Sequence, residues 1–284
     1  MTGLQLALTQ STLAAYLLAV ARTAGFVLTC PPFNSRSVPA QAKVGLAVTL
    51  AMPLSSFMLD AAPTLTGTTI LFQMLAQTLV GVSLGFLVQL VLSTVQAVGD
   101  LLDTVGGFSA ATALDPMLLV QTSVMGRLHQ VAGWAVFFAT GSHLLVLHAL
   151  ARTVHTTPIA SFSWQHTAAT VTQDVAGLFA SALQIAGPVV AAMLVADISL
   201  GLMTKAAPAL NAFSLGYPLK ILFTLVLAGL VVARLPEVMN RLVEHATISM
   251  VDLPTTPSPT PFIVSPSAQP ILPSLPPSIT PSGG

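Results

Sequence analysis

Charge is scarce in this sequence. Of 284 residues, only nine are Lys or Arg and nine are Asp or Glu, 6% of the chain. A soluble domain carries about 25% charged residues. So few charges cannot clothe a surface facing water, and the balance is neutral, which gives no footprint for nucleic acid. Cysteine is nearly absent: Cys30 stands alone, so an intrachain disulfide and any multi-cysteine metal site are excluded. Cys30 reads as a small core residue. No G-x-x-x-x-G-K-[ST] or H-E-x-x-H pattern occurs, so the phosphate-cradling and zinc-hydrolase chemistries have no carrier. No catalytic residue, metal ligand set or cofactor is expected. The first ten residues, MTGLQLALTQ, lack the basic start of a cleavable signal, so the first apolar segment is expected to stay.

What is abundant is apolar. Hydrophobic residues make up 54% of the chain, and the mean hydropathy is +0.85. That composition predicts an integral membrane protein. A bilayer-crossing helix needs about 20 apolar residues. Six segments qualify as candidates: 4–30, 44–59, 70–98, 117–150, 175–203 and 209–233. None suits a lipid-facing helix. They hold Arg22, Pro53, Arg127, His129, His143, His148, Pro188, Asp197, Pro218 and Lys220. Polar groups inside spans face protein or water, and proline leaves carbonyls that need partners. These helices are therefore expected to pack mainly against protein.

Beyond residue 233, Leu235, Val238, Leu242 and Val243 recur at helical spacing among Arg234, Glu237, Arg241 and Glu244. This predicts an amphipathic helix at a membrane surface or a partner. From residue 254 the sequence turns dense in proline and loses all charge, which predicts an extended, flexible tail over 254–284. Loop charges do not settle an orientation. Arg36, Lys43 and Lys205 favour one side, whereas Arg234 and Arg241 fall on the other.

Several clusters could carry chemistry. Asp100 and Asp103 share a helix face and could move protons. They also stand beside Gly106-Gly107, where turn and cap roles are common. Asp115-Pro116 signals a turn, so 106–115 reads as a loop. His143 and His148, five apart, lie on different faces and read as hydrogen-bonded interior histidines rather than a metal pair. Gly81–Gly85, GVSLG, fits the small-xxx-small pattern for close helix approach. The stretch GLMTKAAPALNAFSLGYPLK, from 201 to 220, places two prolines, an asparagine and two lysines between apolar runs. It is either a plain hairpin with lysines at the membrane surface or a broken hairpin buried in an assembly.

That last stretch, with three others, resembles a known family. ARTAGFVLTCPPFNSRSVPAQAKVGLAVTLAM is similar to an Arg-bearing first helix, a P-x-F turn and a V-P helix start. GDLLDTVGGFSAATALDP and GSHLLVLHAL resemble further elements of the same family. In AGPVVAAMLVADISLGLMTKAAPALNAFSLGYPLK the matching residues are Pro188, Gly201, Leu202, Lys205, Pro208, Leu210, Asn211, Phe213, Gly216, Pro218 and Lys220. Ala209 stands where glutamine is usual, and Lys205 where arginine is common. The resemblance covers roughly the first 250 residues. It is to the FliR family of the flagellar export gate and its SctT-like virulence type III secretion counterparts.

The resemblance implies an all-α fold of about six long, partly broken helices in hairpins. It implies a FliP-like part over about 1–174, a FliQ-like hairpin over about 175–253, and the tail. It implies a non-catalytic subunit that forms, with FliP- and FliQ-like proteins, a closed pore for unfolded secretion substrates. The place would be the bacterial inner membrane at the flagellar basal body, with energy from an export ATPase and the proton motive force. By the same resemblance, Gly106, Gly107, Phe108, Asp115 and Pro116 belong to a plug loop. In many relatives that loop carries aromatics, where this chain has Ala110, Ala111 and Ala113. Lys205, Pro208, Asn211, Phe213, Gly216, Pro218 and Lys220 would form a hairpin tip near an FlhB-like switch protein. The competing reading from residues alone is a six-helix small-molecule permease.

Overall fold

Helix α1 (Thr2–Thr29) and helix α3 (Gly67–Gly106) cross with their backbones in contact. The computed structural model describes residues 2–31, 33–59, 67–108, 123–156, 164–206 and 212–252. Among these, every regular element is helical. At the crossing, a Cβ on Gly25 would fall on the Thr78 carbonyl, and one on Gly81 would fall on the Arg22 carbonyl. One on Gly85 would meet Thr29 Oγ1 and the Phe26 carbonyl. Thr29 Oγ1 also donates to Val82 O at 3.2 Å. The small-xxx-small pattern at 81–85 is thus the α3 side of this contact. Removing side chains there lets two backbones touch.

Arg22 sits beside that crossing with no exposure. Its Nε donates to Gln77 Oε1 at 2.7 Å, and Nη1 donates to Thr153 Oγ1 at 3.3 Å. Charge inside an apolar core is tolerated only when hydrogen-bonded. Here those bonds tie α1 to α3 and to α5 (Ser142–Thr156). Helix α2 (Ala40–Met58) lies along α1, where Thr23 Oγ1 donates to Ala47 O at 2.8 Å.

The six expected segments map onto seven helices among the described residues. The 117–150 segment is two helices, α4 (Val124–Ala139) and α5, bent by 70° at Thr140–Gly141. Gly141 has φ +74°, a conformation glycine adopts freely, and Thr140 N–H closes the last α4 turn on Val136 O at 2.8 Å. Helix α6 (Trp164–Ala206) starts eleven residues before the expected 175. Helix α7 (Ala212–Asp252) joins the sixth apolar segment and the amphipathic stretch into one 41-residue helix. Pro218 and Pro236 lie within it without ending it. Neighbouring elements hold this helix together where local propensity alone would break it.

Two apolar cores result. One gathers Leu18, Phe26, Leu87 and Leu150 with Met239 and Leu242 of the charged half of α7. That half is amphipathic as expected, with Leu235, Leu242 and Val243 buried and Arg234, Glu237 and Glu244 exposed, but its apolar face meets this chain's own core rather than a membrane surface or a partner. The other core joins the end of α3 to the hairpin through Val98, Leu102, Ala186, Met193 and Ala228. Helix α3 is the common spine, packing on α1, α4, α6 and α7.

Candidate functional site

The region where α3 ends against the α6–α7 hairpin holds four of the candidate residues, Gly106, Gly107, Phe108 and Lys220. The two hairpin helices run antiparallel: Asp197 meets Lys220, and Met193 meets Thr224. Lys220 Nζ pairs with Asp197 Oδ2 at 2.8 Å. One turn further, Thr224 Oγ1 donates to the Lys220 carbonyl at 2.9 Å. A Cβ on Gly106 would come within 2.5 Å of Thr224 Cγ2, so the last residue of α3 lies directly on this turn of α7. Gly107, at φ +81°, then turns the chain out of the helix. Phe108 packs beside the second core.

The structure therefore brings Gly106 of the expected plug loop onto Thr224, one turn beyond Lys220 of the expected hairpin tip. Lys205 is elsewhere, exposed in the last turn of α6. Gly216 is half-buried and Pro218 exposed in the first turns of α7, where Phe213 also stands. Asp115, Pro116, Pro208 and Asn211 lie outside the described residues. So do the tail and Ala110, Ala111 and Ala113.

Asp100 and Asp103 have packing roles that their spacing alone left open. Asp103 is buried, and its Oδ1 accepts from Met125 N–H, in the first turn of α4, at 3.1 Å. Ser123 Oγ accepts from Gly126 N–H at 2.8 Å. Two orphan donors of one helix start are satisfied this way, one by the cap residue and one from a neighbouring helix. The Asp100 carboxylate lies where a side chain on Gly126 would be, and Gly99 admits the backbone of Met125. Gln130 Nε2 donates to Gln96 Oε1 at 2.8 Å across the same α3–α4 contact. The expectation of hydrogen-bonded interior histidines is met by neither His143 nor His148. His143 is half-buried beside Phe138, centroids 5.2 Å apart, and its Nδ1 has no hydrogen-bond partner among the described residues, whereas His129 is fully buried with Nδ1 2.9 Å from Met125 O. His148 is exposed, because Val146, Ala149 and Leu150 turn the apolar stripe of α5 the other way.

Sequence reasoning missed two residues of the junction. Thr224 carries no motif; its only signal is its i+4 relation to Lys220. Asp197 was visible as an acid inside an apolar run, but its partner was not. Among the described residues, no group of three or more His, Cys, Asp or Glu could hold a metal ion.

Four helices are long and apolar enough to cross a membrane, or five spans if the bent α4–α5 pair counts as one. Together with the all-helical cores, this makes the chain an α-helical membrane-associated protein. It matches the family described as bacterial export proteins, family 1, over residues 13–246, and the chain belongs to that family. It is 29% identical to the flagellar biosynthetic protein FliR of Bacillus subtilis strain 168 over 212 residues, which covers 73% of this chain and 82% of that one. To the flagellar biosynthetic protein FliR of Escherichia coli K12 it is 28% identical over 208 residues, 70% and 77% of the two chains. The surface presentation of antigens protein SpaR of Shigella flexneri is 25% identical over 154 residues, 54% and 60%.

Proposed function

We propose that this component of a bacterial flagellar or type III export apparatus is a non-catalytic subunit of the flagellar export gate. In this reading it sits in the inner membrane at the basal body. There it forms a closed pore for unfolded substrates with FliP-like and FliQ-like subunits. Residues 1–174 form a FliP-like part, and 175–253 a FliQ-like hairpin. The tip, with Lys205, lies near an FlhB-like switch protein, and 106–116 contributes to the plug.

The observation that carries the reading is helix length set against burial. Helices α3, α6 and α7 have 40, 43 and 41 residues. At about 1.5 Å per residue each is roughly 60 Å long, about twice the hydrocarbon thickness of a bilayer. The candidate spans within them run over 39 residues in α3 and 36 in α6, and over 34 in α7, where the charged half is included. In α3 the most apolar window is 61% buried within the chain, but in α6 and α7 the figures are 33% and 22%. One bilayer cannot cover such helices end to end. Other protein must cover the remainder, as an assembly standing partly above the membrane would. A permease working alone gives no account of this surplus.

The test is purification from membranes of cells that use the chain. Co-isolation with FliP-like and FliQ-like subunits is expected. Deletion of residues 106–113 is expected to leave that complex assembled but to admit small solutes across the membrane. Isolation alone, or only as a homo-oligomer, would return the permease reading. An assembled, tight gate after the deletion would remove the plug assignment.

A further inference from the structure

We infer that the face of the hairpin around Asp197 docks an apolar helix of a neighbouring subunit, which directs a basic side chain at the Asp197 carboxylate. The inference rests on the gate reading above, because it needs other subunits to be present.

The pair between Lys220 and Asp197 is lopsided. The lysine side chain is 22% exposed and the aspartate 41%. Only Oδ2 of Asp197 meets the ammonium; Oδ1 accepts no hydrogen bond among the described residues. The pair therefore turns its acidic side outward. The surface flanking it is apolar: Leu194, one turn before Asp197, Ile198 beside it and Phe223, one turn beyond Lys220, are 59%, 56% and 45% exposed. Such a surface suits neither simple solvent. Water would be left against a contiguous apolar face, which marks an interaction site. Lipid would leave a carboxylate oxygen in hydrocarbon with no donor. Lysine can extend its long stem to reach a membrane surface, but aspartate is too short to do so from the ninth residue before the end of α6.

A protein helix meets both demands. Its apolar side chains cover Leu194, Ile198 and Phe223, and one donor reaches Oδ1. A basic donor fits best, because a charge-assisted bond is stronger than a neutral one in a desolvated contact. An acidic side chain opposite Asp197 would be repelled by several kcal/mol. Asp197 thus has two tasks. It locks α6 to α7 through Lys220 and offers a specific anchor to the neighbour.

Reversing the pair separates these tasks. The double variant Asp197→Lys with Lys220→Asp keeps an internal ion pair but turns a cation outward. We expect unchanged abundance in the membrane and a melting temperature of the isolated chain within a few degrees of the parent. We expect at least a tenfold fall in the other gate subunits that co-purify with it, and loss of export. Asp197→Asn keeps an oxygen acceptor without charge and should fall between. A benzoyl-phenylalanine placed at Ile198 in the parent chain should crosslink on illumination to a gate subunit, beside one of its basic residues. Full assembly of the reversed variant would overturn the proposal, as would photoadducts only with lipid. If the reversed variant is itself depleted, Asp197→Asn and the crosslink decide the matter. A parent chain that brings down no other subunit would instead defeat the gate reading.

Discussion

At the level of single residues, absence of side chain matters as much as chemistry. Gly81 is the clearest case, since the space its Cβ would need is filled by the backbone of Arg22 and Phe26. A backbone cannot step aside as a flexible side chain can. Gly81→Ala should therefore destabilise the folded chain by about 1–3 kcal/mol, the usual cost of overpacking. Thermal melting in detergent would read this as a clear fall in melting temperature. Gly229→Ala is the control, because nothing lies within 4 Å of a Cβ there, and it should leave the melt unchanged or slightly raised, since alanine favours the helix interior. Equal melts for both variants would show that the α1–α3 crossing relaxes freely. GVSLG is legible as a motif, and its partner strip on α1, Ala21, Gly25 and Thr29, has the same small-xxx-small spacing, but nothing local in the sequence pairs the two strips.

Among the elements, α4 depends most visibly on a neighbour for its start. Its first turn takes one acceptor from Ser123 and another from Asp103 of α3. Asp103→Asn keeps an acceptor oxygen and should leave stability and export close to the parent. Asp103→Ala removes it and should cost about 1–2 kcal/mol, the range for loss of a cap. Export assays and melts on the two variants separate capping from proton transfer. A proton carrier would fail equally in both, since asparagine cannot titrate. The single helix α7 shows a second dependence between elements. Its apolar half packs with α6 and its charged half with α5 and α4, so the composition break near residue 233 marks a change of neighbours rather than a helix end. A hydropathy pattern reports what surrounds a residue, and it cannot distinguish a new helix from a new environment.

For the molecule as a whole, the described residues end with α7 at Asp252. The stretch 254–284 has no charges and no apolar period with which to dock, and ordering it would cost entropy without much burial in return. Deletion of 254–284 should leave complex formation and motility nearly intact. The readouts are co-purified subunits and swimming in soft agar. Loss of either would make the tail a binding element.

The sequence by itself determined the class. Six per cent charge and long apolar runs permit no soluble fold, and the all-helical outcome follows because a helix satisfies its own backbone in an apolar setting. The ordered motifs from Arg22 to Lys220 pointed to the family. Only the tertiary structure decided which polar residues answer one another. Arg22 finds Gln77 and Thr153, Asp103 finds Met125, Lys220 finds Asp197, and Gly106 rests on Thr224. The reason is range. Periodicity couples residues three or four apart, whereas these partners lie between 22 and 131 positions apart along the chain. Their meeting depends on how whole helices cross.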